Sequence, residues 1–321
     1  MKAIVQDRYG PPEVLELRDV DAPSVKDNEV LVRIRAASVN PLDWYQVTGT
    51  PYITRIGALR RPKQPIPGVD LAGQVEAVGN NVTAFQVGDE VYGMRSGAFA
   101  EYVTADEARL ARKPANLTYE QAAAVPTAGV TALQGLRDKG LIRPGQNVLI
   151  NGASGGVGTF AVQIAKSVGA EVTAVCSTRN VAMVRSLGAD RVIDYTASDF
   201  VHSGQRYDLI LDIASNRSVS DRRRAMQPTG TLVVVGAAKK GRWIGPLGPM
   251  LTAVAAGRFG RQRIVAFIAT NSTGDLNALR QLIEAGDVTP AIERTYQLDQ
   301  VPEALAYLGA GHAKGKLVIT I

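Results

Sequence analysis

Cysteine and histidine are almost missing from this 321-residue sequence, which has one cysteine (Cys176) and two histidines (His202 and His312). A lone cysteine excludes an internal disulfide and a thiolate cluster for structural zinc. Cys176 also ends the apolar run that begins at Glu171, as expected of a small core residue rather than a nucleophile. The N-terminal Met1-Lys2-Ala3-Ile4-Val5 moves straight into a strand-like pattern without an apolar signal core, and no stretch approaches the length of a membrane span. The expectation is a cytoplasmic chain without stable membrane insertion. Its net charge of +6 and pI near 9.4 are only moderately basic, and no recognised RNA motif accompanies them. We read the excess as a solvated surface rather than a nucleic-acid footprint.

The length suggests roughly two domains, and 45% hydrophobic residues suffice for a large core. The 32 glycines follow no period, so they mark turns and close backbone approaches. Residues 1 to 121 read as β-rich, with short runs at Val30–Ala36, Gly73–Val78 and Glu90–Tyr92 between Gly- and Pro-rich turns. Thr118 is placed to cap a helix over Glu120–Val125. From Gln146 onward strands alternate with helices. Asn147–Asn151, Glu171–Cys176, Arg191–Asp194, Leu209–Ile213 and Thr231–Gly236 read as strands, Gly158–Val168 and Ala182–Leu187 as helices. This is the rhythm of a doubly wound parallel sheet. The tail from Glu293 returns to strands and turns and ends in the strand-like Leu317–Ile321. The expected organisation is therefore a discontinuous first domain, 1–121 with 293–321, into which an α/β domain at 122–292 is inserted. Lys239–Arg263 mixes basic and large apolar residues and is the least regular part of the second half.

The run Val148 to Gly158 leaves a buried strand and enters a helix, with Gly152, Gly155 and Gly158 three residues apart. Without a Cβ at Gly155 and Gly156, the backbone around Ser154–Val157 can approach a pyrophosphate, whose charge the helix amides stabilise. Gly158 lets the helix pack against the strand. The second strand identifies the nucleotide. A site for NAD ordinarily carries an acid there, but this chain continues Ser177-Thr178-Arg179, two hydroxyls and a guanidinium suited to a phosphate dianion. NADPH is the expected cofactor.

At this point the residues resemble a known family. Asn151–Gly158 followed by Ala161–Lys166 is similar to the medium-chain dehydrogenase/reductase superfamily. So are Ala36–Asp43, Gly68–Gly73, Val87–Gly93, Leu187–Asp190 and Gly315–Val318. The nearest branch is the zinc-independent, quinone oxidoreductase-like one. The resemblance implies a GroES-like β-rich catalytic domain plus a Rossmann domain, an active site in the cleft between them, and a homodimer. It also implies no catalytic zinc. The zinc enzymes carry a cysteine near Asn40–Asp43, where this chain has none, and their Gly-His-Glu is here Gly68-Val69-Asp70. Catalytic zinc needs about three protein ligands, and no such set is visible in the sequence.

By the same resemblance, Asn40 and Tyr45 lie beside the nicotinamide or its ribose, Thr131 contacts the nicotinamide end, and Tyr195 flanks the adenosine phosphate. Gly236 lines the nicotinamide side of the crevice, and Asn271 and Lys316 are further cofactor contacts. Other readings stay open: Asn40 satisfying a turn, Tyr45 as a half-buried core ring, Thr131 bonding its own helix, Lys316 as a surface charge. Tyr52 is the candidate substrate-side hydroxyl, and water could take its place. The expected activity is hydride transfer from NADPH to a small-molecule quinone or enone. The alternatives are an enoyl-thioester reductase with Arg55, Arg60, Arg61 and Lys63 at its entrance, or a non-enzymatic NADPH-binding protein associated with membrane or RNA.

Overall fold

The computed structural model describes residues 1–235, 261–311 and 313–321. Gly236, His312 and most of Lys239–Arg263 lie outside the described residues. The chain divides into two compact units: Met1–Val130 with Asn271–Glu284 and Pro290–Ile321, and Thr131–Thr270 with Ala285–Thr289.

The first unit opens with β1 (Lys2–Val5) and β2 (Glu16–Asp19), an antiparallel pair. Next come β3 (Glu29–Val39), α1 (Pro41–Thr48), β4 (Asp70–Val78), β5 (Glu90–Met94), β6 (Tyr102–Asp106) and β7 (Leu110–Arg112). Two short helices close this stretch, α2 (Tyr119–Ala123) and α3 (Pro126–Leu133). Thr118 caps α2 as expected: its hydroxyl accepts from the Gln121 amide, and the Gln121 side chain accepts from the Thr118 amide.

The second unit contains β8 (Asn147–Asn151), α4 (Gly156–Ser167), β9 (Glu171–Cys176), α5 (Val181–Ser186) and β10 (Arg191–Asp194). It continues with β11 (Tyr207–Asp212), α6 (Val219–Arg224), β12 (Met226–Val234) and β13 (Arg263–Ala266). The chain then returns to the first unit through α7 (Thr273–Glu284), β14 (Ile292–Gln297), α8 (Val301–Gly309) and β15 (Lys316–Thr320).

In the second unit every strand pairing is parallel, in the order β10-β9-β8-β11-β12-β13. Counted from β8 this is 3-2-1-4-5-6, the doubly wound dinucleotide-binding order, with its switch point between β8 and β11. Apolar β8 suits its place: Val148, Leu149 and Ile150 are fully buried. Phe160, Val162 and Ile164 of α4 are also buried.

The first unit is built on a seven-stranded sheet, β14-β15-β3-β4-β5-β7 with β6 also on β3, over a core that includes Ile4, Ile34, Leu71, Phe99 and Leu317. The last strand, β15, runs antiparallel to β3, with Leu317 opposite Val39 and Val318 opposite Ser38. The compact division falls at Val130/Thr131 and Thr270/Asn271, with Ala285–Thr289 returning to the second unit and the last crossing at Thr289/Pro290, where the sequence reading sets 121/122 and 292/293. Packing explains the shift: α2 contacts β3 and β4, and the buried Tyr92 hydroxyl of β5 donates to Leu276 O on α7 at 2.6 Å.

Candidate active site

In the second unit the glycine turn sits where the strand order reverses. Gly152 has φ +93°, a left-handed conformation that favours glycine. The glycines at 155 and 158 are present for different reasons. A Cβ at Gly158 would lie 2.2 Å from Gly152 O and 2.7 Å from the Ala153 backbone, so close packing of α4 demands glycine. A Cβ at Gly155 would meet only Gly152 O, at an ordinary 3.6 Å. Its backbone, at φ −82° and ψ 174°, suits any residue. The protein's own packing does not require glycine at 155, and the space beyond it stays open in front of α4. No side chain caps that helix. Its first amides and positive dipole end therefore suit an anionic group such as a pyrophosphate.

Ser177 and Thr178 follow β9, and Arg179 is exposed in a short turn. Asn180, buried beneath them, ties the two loops together. Its Nδ2 donates to Ser154 Oγ at 2.9 Å and to Ser177 Oγ at 3.2 Å. Nothing in the sequence pattern had singled out Asn180. Asp194 was missed as well. No acid follows β9 along the chain, but β10 pairs Asp194 with Cys176 and so delivers one from the side. Its carboxylate accepts from Thr196 N (2.9 Å) and Thr196 Oγ1 (2.8 Å). Thr178 Oγ1 lies 2.9 Å from Thr196 Oγ1, and the Thr178 hydroxyl, with the two Thr196 donors, holds the carboxyl below its usual range. Tyr195 follows, half exposed, with its amide bonded to Cys176 O.

At the switch point, buried Asp212 ends β11. Its Oδ1 accepts from Asn151 Nδ2 (2.8 Å) and Ser215 N (2.9 Å), and its Oδ2 from Arg222 Nη1 (2.7 Å). This buried ion pair fixes the loop after β11. Thr131 is buried on α3.

In the first unit, three strands converge on a buried polar cluster. The register of β15 on β3 brings Lys316 beside Asn40, and β3 on β4 sets Ser38 opposite Asp70. Lys316 Nζ lies 2.6 Å from Asn40 Oδ1, to which it donates, and 3.5 Å from Asp70 Oδ2. Asn40 Nδ2 donates to Asp70 Oδ2 at 3.0 Å and to Ser38 O at 3.3 Å. Ser38 Oγ and the amide and hydroxyl of Thr127 complete the donors to Asp70. Asp43, also fully buried, accepts from the Asn40 amide at 2.7 Å, while its Oδ1 has no partner among the described residues. Burial, reinforced by the Asp70 charge, pushes the Asp43 carboxyl up to about 8, against the Asn40 donors and Lys316. Burial also lowers the Lys316 ammonium, which the two aspartates oppose. The simplest charge state near neutrality is thus protonated Asp43 with Asp70 facing Lys316.

Lys316 is therefore not a surface charge, and the polar atoms of Asn40 are engaged within the cluster. Tyr45 lies part-buried on α1, and burial raises its phenol. Tyr52 begins the short turn Tyr52–Arg55, with the Arg55 guanidinium 5.0 Å from its ring centroid. Asn271 donates through Nδ2 to Met94 O at 3.2 Å, and its buried Oδ1 has no partner among the described residues. Among those residues no group of three His, Cys, Asp or Glu stands together as a metal site, and no helix is long and apolar enough to cross a membrane.

Known proteins share this architecture. Residues 26–115 match the alcohol dehydrogenase GroES-like domain family, and residues 187–319 match a family described as zinc-binding dehydrogenase. The 2-methylene-furan-3-one reductase of Solanum lycopersicum is 34% identical over 337 residues, covering 99% of this chain and 79% of that one. The NADPH-dependent alkenal/one oxidoreductase, chloroplastic, of Arabidopsis thaliana is 33% identical over 338 residues, with coverage of 99% and 79%. The solved quinone oxidoreductase from Coxiella burnetii superposes with a TM-score of 0.88 at 31% identity, covering 100% of this chain and 99% of that one. With a GroES-like domain and a parallel-sheet Rossmann domain, the chain belongs to the medium-chain dehydrogenase/reductase superfamily as a quinone oxidoreductase-like enzyme.

Proposed function

We propose that this enzyme transfers hydride from NADPH to a small quinone or α,β-unsaturated carbonyl without zinc. One observation carries the zinc-independent reading. The cation facing the buried Asp43–Asp70 pair is the Lys316 ammonium, 3.5 Å from Asp70 Oδ2, which would repel a divalent ion. Without a Lewis acid, the acceptor must already be activated by conjugation, as quinones and enones are. The named activities of the tomato, Arabidopsis and Coxiella proteins support that substrate class.

The residues present fit the cofactor. The open space at Gly155 and the uncapped start of α4 suit the pyrophosphate, with Ser154, Gly156 and Val157 lining it. Ser177, Thr178 and Arg179 suit a 2′-phosphate, and Asp194 is already engaged by its own turn. Tyr195 would flank the adenosine, and the partnerless Asn271 Oδ1 suits an amide donor such as the carboxamide of nicotinamide. When bound, the nucleotide supplies the hydride. The Lys316–Asn40–Asp70 cluster holds the start of α1, the helix that carries Tyr45, in place. The Tyr52 hydroxyl would orient the acceptor carbonyl, with water as its substitute in proton delivery.

The proposed setting is the cytoplasm, as a homodimer. Burial pushes the Cys176 thiol up to about 11, as expected of an inert core residue rather than a nucleophile. Light scattering of the purified protein tests the dimer.

The decisive experiment is spectroscopic NADPH turnover with a panel of quinones and enones, with and without a zinc chelator. Tight binding without oxidation by any acceptor would overturn the reductase reading, and activity lost on chelation and restored by zinc would overturn zinc independence. For the nucleotide, Arg179→Ala is expected to raise the NADPH KM at least tenfold and to leave NADH nearly unchanged, since a charge-assisted contact contributes about 1.5–3 kcal/mol. Equal losses for both nucleotides would refute the phosphate-binding role.

A further inference from the structure

The segment after α1 combines features that the hydride-transfer reading does not use. Residues 51–69 contain four cations, Arg55, Arg60, Arg61 and Lys63, and no acid. Between the cations stand Ile56 and Leu59, 73% and 76% exposed, the two most exposed large hydrophobic residues among those described. Water contact on that scale is unfavourable for an aliphatic side chain, and loose packing does not account for it here. The tip is anchored. The Tyr9 hydroxyl donates to Ala58 O at 2.9 Å, and Ala58 N donates to Arg55 O at 2.8 Å. Arg55 Nε donates back to Gly49 O at 2.8 Å, and its guanidinium stacks on Tyr9. Ile56 and Leu59 are thus held outward on a braced turn, with exposed Arg60, Arg61 and Lys63 following. Arg61 lies within electrostatic reach of Asp7, but that carboxylate is already paired with Arg18 at 2.7 Å.

We propose that the Ile56–Lys63 turn docks this enzyme on the surface of an anionic lipid bilayer. Ile56 and Leu59 enter the headgroup–acyl boundary, while Arg60, Arg61 and Lys63 meet the lipid phosphates. Charge complementarity selects this occupant: three exposed cations without a competing acid in the segment match a phosphate-bearing plane, and two protruding aliphatic tips match what lies beneath it. Docking is peripheral and reversible, so it agrees with the absence of a spanning helix among the described residues. A purely electrostatic partner, such as an acidic carrier protein, would use the cations and leave both aliphatic tips in water.

Flotation of the full chain tests this with phosphatidylcholine vesicles, alone and with about one-third phosphatidylglycerol. The wild type is expected to float with the anionic vesicles, to be released by high salt, and to ignore phosphatidylcholine alone. Each basic residue near an anionic surface contributes about a fivefold factor in affinity. R60A/R61A/K63A should therefore weaken partitioning on the order of a hundredfold. I56S/L59S should weaken it at least tenfold and leave the salt dependence in place. Thermal unfolding by circular dichroism verifies that each variant is folded. Equal partitioning of wild type and I56S/L59S would overturn the proposal. So would wild type that stays in solution with anionic vesicles but binds an acidic acyl carrier protein through the same cations. Neither readout uses turnover, so each outcome is independent of the hydride-transfer reading.

Discussion

Replacing Asp43 by asparagine should flatten the pH dependence of stability. Asp43 is fully buried, its Oδ2 bonds the Asn40 amide, and its carboxyl is raised from an ordinary 3.8 to about 8. A carboxyl raised on folding keeps its proton in the native state after the unfolded chain has released it. Its contribution is therefore present at low pH and lost as pH rises from about 4 to about 8, at about 1.4 kcal/mol per pH unit for one proton. Asparagine reproduces the shape and acceptor of the protonated acid and does not titrate. The lowered Lys316 acts with the opposite sign, and loss of the opposing Asp43 charge lowers it further in the variant, which works toward the same flattening. Between pH 5 and pH 7 the wild type should lose on the order of 2–3 kcal/mol relative to Asp43→Asn. Urea unfolding followed by tryptophan fluorescence across that range measures the difference. Parallel profiles, or a variant that loses stability faster than the wild type as pH rises, would refute a protonated Asp43.

Two further substitutions separate cofactor binding from folding at the glycine turn. Gly155→Val should leave the unfolding midpoint nearly unchanged and weaken NADPH binding at least tenfold, as read by fluorescence titration, because a Cβ there meets only Gly152 O, at an ordinary 3.6 Å. Gly158→Ala should cost about 1–3 kcal/mol in unfolding, because its Cβ overlaps Gly152 O and the Ala153 backbone. Arg222→Met should cost about 3–5 kcal/mol by stranding Asp212 as a buried unpaired charge. The double variant Arg222→Met/Asp212→Asn should recover much of that loss, and a double-mutant cycle by denaturant unfolding checks it.

The elements of the second unit were legible because their cause is local. β8, β9 and β10 carry continuous or alternating apolar runs, and the observed bounds match the sequence reading. α2 was legible through its cap. The polar constellations were not, because each depends on strand register between distant segments. Lys316 and Asn40 are 276 residues apart, and only the pairing of β15 with β3 joins them. An isolated lysine before a last strand reads equally well as a surface charge. Even the domain bounds follow this rule: α7 belongs to the first unit through contacts such as Tyr92 with Leu276, which no local pattern announces.

Asp194 shows how far this changes a functional reading. Along the chain, Ser177-Thr178-Arg179 has no acid, and a phosphate-binding loop follows directly. Across the sheet, β10 sets a carboxylate in hydroxyl contact with Thr178. In the proposed reading, nucleotide choice is then a balance between the Arg179 charge and a carboxylate engaged by Thr178 and Thr196. That carboxylate is restrained by the turn hydrogen bonds rather than absent. Releasing it by Thr196→Val removes one of those bonds and makes Asp194 available to ribose hydroxyls. The variant should therefore gain NADH affinity relative to NADPH, measured as the ratio of their KM values. An unchanged ratio would show that Asp194 plays no part in the choice and that the loop after β9 acts alone.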